Sequence, residues 1–343
     1  MMTQFAIELK QVERSFAGQP AVRQLDLSLP RGEICGFIGP NGSGKTTTIR
    51  MILRILRPDA GRVCVLGSEQ GTCADDRLGY LPEERGLYRR MKVGQLLRYY
   101  AHLKSFRDCD EDIREWLARF DASDWINKRL DTLSKGMCQK VQFIAAVIAR
   151  PQLLILDEPF SGLDPVSTEQ LSDAILEMQS RGASILLSTH DMEAAERMCG
   201  RVVMIFRGRK VLDGTPHSIR AQYPAQEIRV RTAGNETIPD PIPGVSGRRR
   251  EGAFEQLTLA DGVAPAGVLR HIAQTAELEH FELIRPTLHR IFLRIVESRG
   301  EDRPGVPAAD CKMRPLQQLP ESVRVEPKGL AGRKTSSAVH PRL

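Results

Sequence analysis

The stretch Ile34-Cys-Gly-Phe-Ile38-Gly39-Pro40-Asn41-Gly42-Ser43-Gly44-Lys45-Thr46-Thr47 decides how this chain is read. A short apolar run leads into a glycine-rich turn, and Lys-Thr-Thr follows with helical spacing. From Gly39 the residues fit G-x-x-x-x-G-K-[ST]. Glycines let successive backbone N–H groups turn inward on an anion, and a helix opening at Lys45 adds partial positive charge. Lys45 has the reach for β- and γ-phosphates, and the Thr46 hydroxyl is a ligand for Mg²⁺. The turn from Gly39 to Thr47 is therefore expected to bind a nucleotide.

Working outward, short apolar runs alternate with helical periodicity from residue 5 to about 220. Phe5-Ala-Ile-Glu-Leu-Lys10 and Leu25-Asp-Leu-Ser-Leu29 alternate with period two, as half-buried strands do. Residues 34–38, 153–156 and 185–187 are continuously apolar, as strands covered on both faces are. Helices are expected over 45–56, 93–104, 110–120, 135–150 and 167–180, with Pro58, Pro151 and Gly182 as stops. Strands alternating with helices indicate an α/β fold. After about 220 the pattern changes. Strands are expected at 227–231, 254–259 and 281–284, helices at 266–275 and 287–297, and a loop at 237–244. This reads as a small α+β appendage over 221–298. The tail, 299–343, has no aromatics, six prolines and nine Lys/Arg against five Asp/Glu. It is read as disordered, because so little apolar surface cannot offset chain entropy. Its charges are dilute, which favours a solvated tail over a polybasic membrane tether.

Composition narrows the function classes. The chain has 343 residues, 41% hydrophobic and 27% charged, which suits a globular protein with a sizeable core. Aromatics are only 5%, so a stacking surface for single-stranded nucleic acid is not expected. The +6 charge lies mostly in the tail and does not select a partner. The seven cysteines are scattered, with no C-x-x-C pair, so neither a disulfide framework nor a zinc site is expected. The N-terminus lacks the pattern of a secretory signal. The longest apolar run, 143–149, is far shorter than the roughly 18 residues of a membrane span. If the chain serves a membrane process, another polypeptide is expected to do the crossing.

A second site signal is Leu153-Leu-Ile-Leu156-Asp157-Glu158-Pro159, two acids where a buried strand ends. In an open α/β sheet, ligands bind beyond the carboxyl ends of the strands. Asp157 is thus placed to hold Mg²⁺, and Glu158, one residue on, to act as general base toward water.

Between the two lies Leu133-Ser134-Lys135-Gly136-Met137, ahead of an amphipathic helix. Here the chain resembles the ATP-binding cassettes of ABC transporters, over about residues 5–220 and with the motifs in the family's order. The family signature is usually LSGGQ; this chain keeps Ser134 and Gly136, with Lys135 for the first glycine and Met137 for the glutamine. The resemblance implies a P-loop NTPase cassette with a helical signature subdomain. It implies ATP with Mg²⁺, sandwiched between two cassettes, with Ser134 and Gly136 facing the γ-phosphate held by the other copy. It further implies a D-loop at Ser161-Gly-Leu-Asp164, a switch histidine at His190 and an adenine-stacking aromatic at Phe16. Glu83 stands where the family's Q-loop has glutamine. As a carboxylate it can still ligate Mg²⁺, so activity is expected with altered metal affinity or coupling. Glu83-Glu-Arg-Gly-Leu-Tyr88, the signature variant and 281–292 resemble the cassettes of bacterial sodium and multidrug exporters.

The resemblance implies an ATPase subunit of an exporter, peripheral on the cytoplasmic side of the membrane. It would pair as a homodimer and work with polytopic permease subunits. The segment after Glu83 to about 130 would face that permease. Arg85, Arg89 and Arg90 would touch acidic groups there or form a solvated basic face. The alternatives are a soluble cassette ATPase acting on ribosomes or DNA, and an importer cassette. Single-cassette length and dilute basic charge weigh against nucleic acid.

Overall fold

The computed structural model describes residues 4–300 apart from 70–74, 85, 87, 224, 226 and 261. The expectations for Arg85 and for the tail beyond 300 lie outside the described residues. Thirteen strands occur among the described residues. They are β1 (Phe5–Phe16), β2 (Gln19–Pro30), β3 (Ile34–Ile38), β4 (Ala60–Val65), β5 (Leu78–Leu81), β6 (Leu153–Asp157), β7 (Ser184–Thr189), β8 (Arg201–Phe206), β9 (Arg209–Gly214), β10 (Glu227–Thr232), β11 (Val245–Glu251), β12 (Phe254–Leu259) and β13 (Leu278–Ile284). The helices are α1 (Lys45–Ile52), α2 (Val93–Leu103), α3 (Asp110–Arg119), α4 (Lys135–Val147), α5 (Pro165–Ser180), α6 (Met192–Met198), α7 (Pro216–Ala221), α8 (Pro265–Thr275) and α9 (Leu288–Gly300).

The central sheet has the order β5-β6-β7-β3-β8-β9, parallel except for β9. Register aligns Ile38 with Thr189, and Asp157 with Ser188. The parallel run therefore delivers the ends of β3, β6 and β7 to one edge. Alternation explains why these strands are apolar throughout. Leu153 and Ile155 face a core shared with the antiparallel sheet β2-β1-β4 and α1, while Leu154 and Leu156 face the core under α2–α6.

Two helices end earlier than their periodicity suggests. The chain turns left-handed at Arg54 after α1 and at Arg150 after α4, which closes each helix before the prolines at 58 and 151. The described residues up to Arg299 make one compact unit. Within it, the sheet β11-β12-β10-β13 packs on α8 through its own cluster, including Ile228, Val230, Leu257 and Ile272. Helix α9 does not join that cluster. Its Leu288, Ile291 and Phe292 are buried in the core under the central sheet, with Phe292 edge-on to Phe206 at 6.0 Å between ring centroids. The Leu288 N–H donates to Glu196 Oε1 of α6 at 2.6 Å.

Candidate active site

The turn from Gly39 to Thr47 wraps the end of β3 and opens α1. Gly44 occupies the cap with φ 110°, and a Cβ there would lie 2.5 Å from the Ala21 carbonyl oxygen. Only glycine meets both demands. The turn is anchored from outside, since Gly208 N–H donates to the Ser43 carbonyl at 2.8 Å. Pro40, Asn41, Gly42, Gly44, Lys45, Thr46 and Thr47 line one cavity together with Glu83, Asp157 and Glu158. Gly39 and Ser43 lie behind it, Gly39 against the Ile205 carbonyl of β8. The two motifs and the Glu83 departure, far apart in sequence, thus meet in one place.

Lys45 is 6% exposed. Its Nζ donates to the Gly39 carbonyl at 2.6 Å and the Pro40 carbonyl at 3.3 Å, and lies 3.9 Å from Glu158 Oε1. Burial holds its pKa below the usual lysine range, opposed by Glu158, Asp157 and Glu83. Asp157 is shifted upward, chiefly by burial, with Glu83 and Glu158 adding to the shift. The neighbouring Ser188 hydroxyl and the charge of Lys45 oppose it. One cation thus faces three carboxylates, an arrangement that a polyanion would enter only with further positive charge.

Glu158 carries the most specific geometry. The chain turns left-handed there, φ 50°, and its N–H donates to the Ser188 carbonyl at 2.9 Å. This turns the side chain inward, where it is 6% exposed. Thr189 Oγ1 donates to Oε2 at 3.2 Å, and His190 Nδ1 lies 2.9 Å from Oε1. The carboxylate is thus hydrogen-bonded by Thr189 at the end of β7, with His190 beside its other oxygen, while it faces the phosphate turn. Sequence reasoning found His190 but missed Ser188 and Thr189. The signal was their position at the end of an apolar strand adjacent to β6.

Other expected site residues lie elsewhere in the single chain. Phe16 is exposed beneath the Arg14 guanidinium, 5.1 Å from its ring centroid, and does not line the cavity. Ser134 caps α4, its Oγ accepting from Met137 N–H at 3.3 Å, with Gly136 in the same first turn. Asp164 caps α5, accepting from Ser167 N–H at 2.9 Å and Ser167 Oγ–H at 2.7 Å. Among the described residues no group of three or more His, Cys, Asp or Glu forms a metal site by itself. The Thr46 hydroxyl with Asp157 and Glu83 is instead a partial oxygen set. That suits Mg²⁺, which keeps waters and takes phosphate oxygens rather than an all-protein cage.

Comparison with known proteins identifies the family. The family described as "ABC transporter" matches residues 22–161, and "ATP-binding protein DrrA1-3-like, C-terminal domain" matches residues 214–296. An uncharacterised ABC transporter ATP-binding protein of Bacillus subtilis, YhaQ, is 36% identical over 292 residues, covering 84% of this chain and 98% of its own length. This chain belongs to the ABC transporter ATP-binding proteins. Relatives in the family include the daunorubicin resistance ATP-binding protein DrrA3 of Streptomyces coeruleorubidus, 31% identical over 88% of this chain and 98% of that protein. A Nod factor export ATP-binding protein I of Rhizobium is 34% identical over 68% of this chain and 79% of that protein. A solved ATP-binding subunit of an ABC transporter superposes with a TM-score of 0.59 at 32% identity, covering 63% of this chain and 92% of its own. ABC transporter ATP-binding proteins hydrolyse ATP as parts of complexes with membrane permease subunits, and this chain is an ATPase subunit of that kind. Among its described residues, no helix is long and apolar enough to cross a membrane.

Proposed function

We propose that this chain powers an exporter as a pair of identical cassettes on the cytoplasmic side of the membrane, each copy completing the ATP site of the other. The observation that carries the hydrolytic part of this reading is the Glu158 carboxylate, buried, hydrogen-bonded by Thr189, with His190 Nδ1 2.9 Å from its other oxygen and the phosphate-turn lysine 3.9 Å away. In this reading the turn from Gly39 to Thr47 cradles the triphosphate, and Lys45 exchanges its carbonyl partners for β- and γ-oxygens. Glu158 takes the proton of a water attacking the γ-phosphorus, and His190 orients that carboxylate and reaches the γ-phosphate. Thr46, Asp157 and Glu83 would hold Mg²⁺, which supplies charge neutralisation at the phosphates when bound. Phe16 offers its exposed face to the adenine.

Two turns remain outside the single-chain cavity, the Ser134–Gly136 signature and the 161–164 turn. Their exposed hydroxyl and backbone suit contact with the nucleotide of a second copy. Export is supported by the DrrA-like match over 214–296 and by the relative named for Nod factor export. The permease is assigned to the helical side, where Tyr88, Tyr99 and Leu103 are exposed near Arg89 and Arg90.

The experiment is Glu158→Gln in the full chain. ATP binding is expected to persist, hydrolysis to fall on the order of 100- to 1,000-fold, and ATP to trap a dimer visible by light scattering. Unchanged hydrolysis would remove Glu158 from the general-base role.

A further inference from the structure

We propose that Gln139 is a positioning residue for ATP hydrolysis, fixing where the Glu158 carboxylate stands by way of the Pro159 carbonyl. This rests on the reading of Glu158 as general base above. Gln139 lies in the second turn of α4 and is 2% exposed. Its Nε2 donates to the Pro159 carbonyl at 3.1 Å. A buried amide is costly unless it is hydrogen-bonded, and this one bonds to the residue that follows Glu158. Glu158 stands just past the end of β6 with φ 50°. A left-handed residue other than glycine persists only where its surroundings over-determine it. Here the Glu158 N–H donates to the Ser188 carbonyl of β7 at 2.9 Å, and the Glu158 carbonyl accepts from Ser161 N–H at 3.2 Å. The Pro159 carbonyl is the next backbone acceptor along the turn, and Gln139 engages it. Strand β7 thus fixes where the Glu158 turn begins, and α4 fixes where it leaves.

Helix α4 is itself firmly seated. A Cβ on Gly79 of β5 would lie 2.4 Å from the Ala146 carbonyl oxygen, so the helix approaches the sheet as closely as glycine permits. Lys140, next to Gln139, donates through Nζ to Gln170 Oε1 of α5 at 2.6 Å. Gln142, 4% exposed and almost one turn further along, donates to the Pro82 carbonyl at 3.4 Å, beside Glu83. Two buried glutamines of one helix thus bond the two prolines that adjoin the site acids Glu158 and Glu83. Neither glutamine lines the phosphate cavity. Gln139 therefore acts on the reaction through the backbone that carries Glu158, not through contact with the nucleotide.

The test is a double-mutant cycle in the full chain, with kcat for ATP hydrolysis and calorimetric ATP affinity both read well below the melting temperature. Gln139→Met keeps the length of the side chain and removes the donor. It is expected to lower kcat about 10-fold, a fraction of the roughly 100-fold that a 1 Å misplacement costs. ATP affinity is expected to stay within about twofold of the parent. In the Glu158→Gln background the same change is expected to lower hydrolysis by less than about twofold, because a tether acting through Glu158 has no base left to position. Gln142→Met, similarly buried but bonded to Pro82, is the control, and any loss it brings is expected in both backgrounds alike. Unchanged kcat in Gln139→Met would overturn the proposal. So would an equal fold-loss from Gln139→Met in both backgrounds, or a fall in ATP affinity that matches the fall in kcat, because either marks a general packing role. If Gln139→Met does not fold, Gln139→Asn, too short to reach the carbonyl, takes its place in the cycle under the same criteria. Hydrolysis unchanged by Glu158→Gln alone removes the general-base reading, an outcome distinct from a Glu158 requirement that is insensitive to Gln139.

Discussion

Replacing Gly44 with alanine tests whether the phosphate turn is positioned by its neighbours or merely by its own flexibility. Gly44 has φ 110°, a region that costs a non-glycine residue about 1–3 kcal/mol. A Cβ would also stand 2.5 Å from the Ala21 carbonyl oxygen and 3.3 Å from Ile205 Cδ1, where ordinary contact begins at 3.4 Å. That carbonyl has little room to retreat. Arg23 N–H donates to the Gly208 carbonyl and Gly208 N–H to the Ser43 carbonyl, both at 2.8 Å. Strand β2, the turn after β8 and the phosphate turn are thus tied in a ring. Overpacking of this kind costs about 1–3 kcal/mol. Either the fold absorbs about 2–6 kcal/mol in all, or the turn shifts by nearly 1 Å, which costs on the order of 100-fold in a positioned site. Gly42→Ala is the control. Gly42 has φ 75° but nothing within 4 Å of a Cβ, so only about 1–2 kcal/mol of left-handed strain applies. Calorimetric titration with ATP in the Glu158→Gln background and thermal melting read the two effects. ATP affinity within about threefold of the parent at an unchanged melting temperature, a difference under 1 kcal/mol, would refute the reasoning. So would equal damage from Gly42→Ala.

Two further outcomes follow from burial. Because burial raises the Asp157 pKa, the folded chain holds that proton more tightly than the unfolded one. Its contribution favours folding below the ordinary value of 3.8 and is lost as pH rises through the raised value, so at pH 7 the charged carboxylate is a net cost. Asp157→Asn is therefore expected to raise the melting temperature at pH 7 by on the order of 2 °C while cutting ATP hydrolysis on the order of 100-fold; a lower melting temperature at that pH would contradict it. Ile291→Ala, in the fully buried face of α9, is expected to cost about 2–5 kcal/mol and to lower the main unfolding transition together with ATP binding. Loss confined to a minor transition would separate α9 from the core under the central sheet.

Much of the site was legible from residues alone. The phosphate turn was readable because its chemistry is local: backbone N–H groups, a helix start and Lys45 all lie within nine consecutive residues. Strands β3 and β6 were readable because burial on both faces leaves an unbroken apolar run. Strands β4 and β9 were not, since Ala60-Gly-Arg-Val-Cys-Val65 and Arg209-Lys-Val-Leu-Asp-Gly214 are only partly buried. They become strands by pairing with β1 and β8. The periodicity of α9 announced a helix but not which core it would enter.

By itself, the sequence determined that this chain builds a nucleotide-binding α/β cassette, with Lys45 opening the helix after the glycine-rich turn and Asp157 and Glu158 at a strand end. Local spacing is enough for that, because hydrogen bonds and apolar periodicity act over a few residues. Tertiary structure alone decided what those groups touch. The parallel register of β6 with β7 sets Ser188 beside Asp157 and brings Thr189 and His190 to Glu158. The approach of α4 to the 161–164 turn lays Lys135 across Gly162. Such contacts join segments tens of residues apart, and their distances follow from packing three-dimensional layers, which no linear spacing encodes.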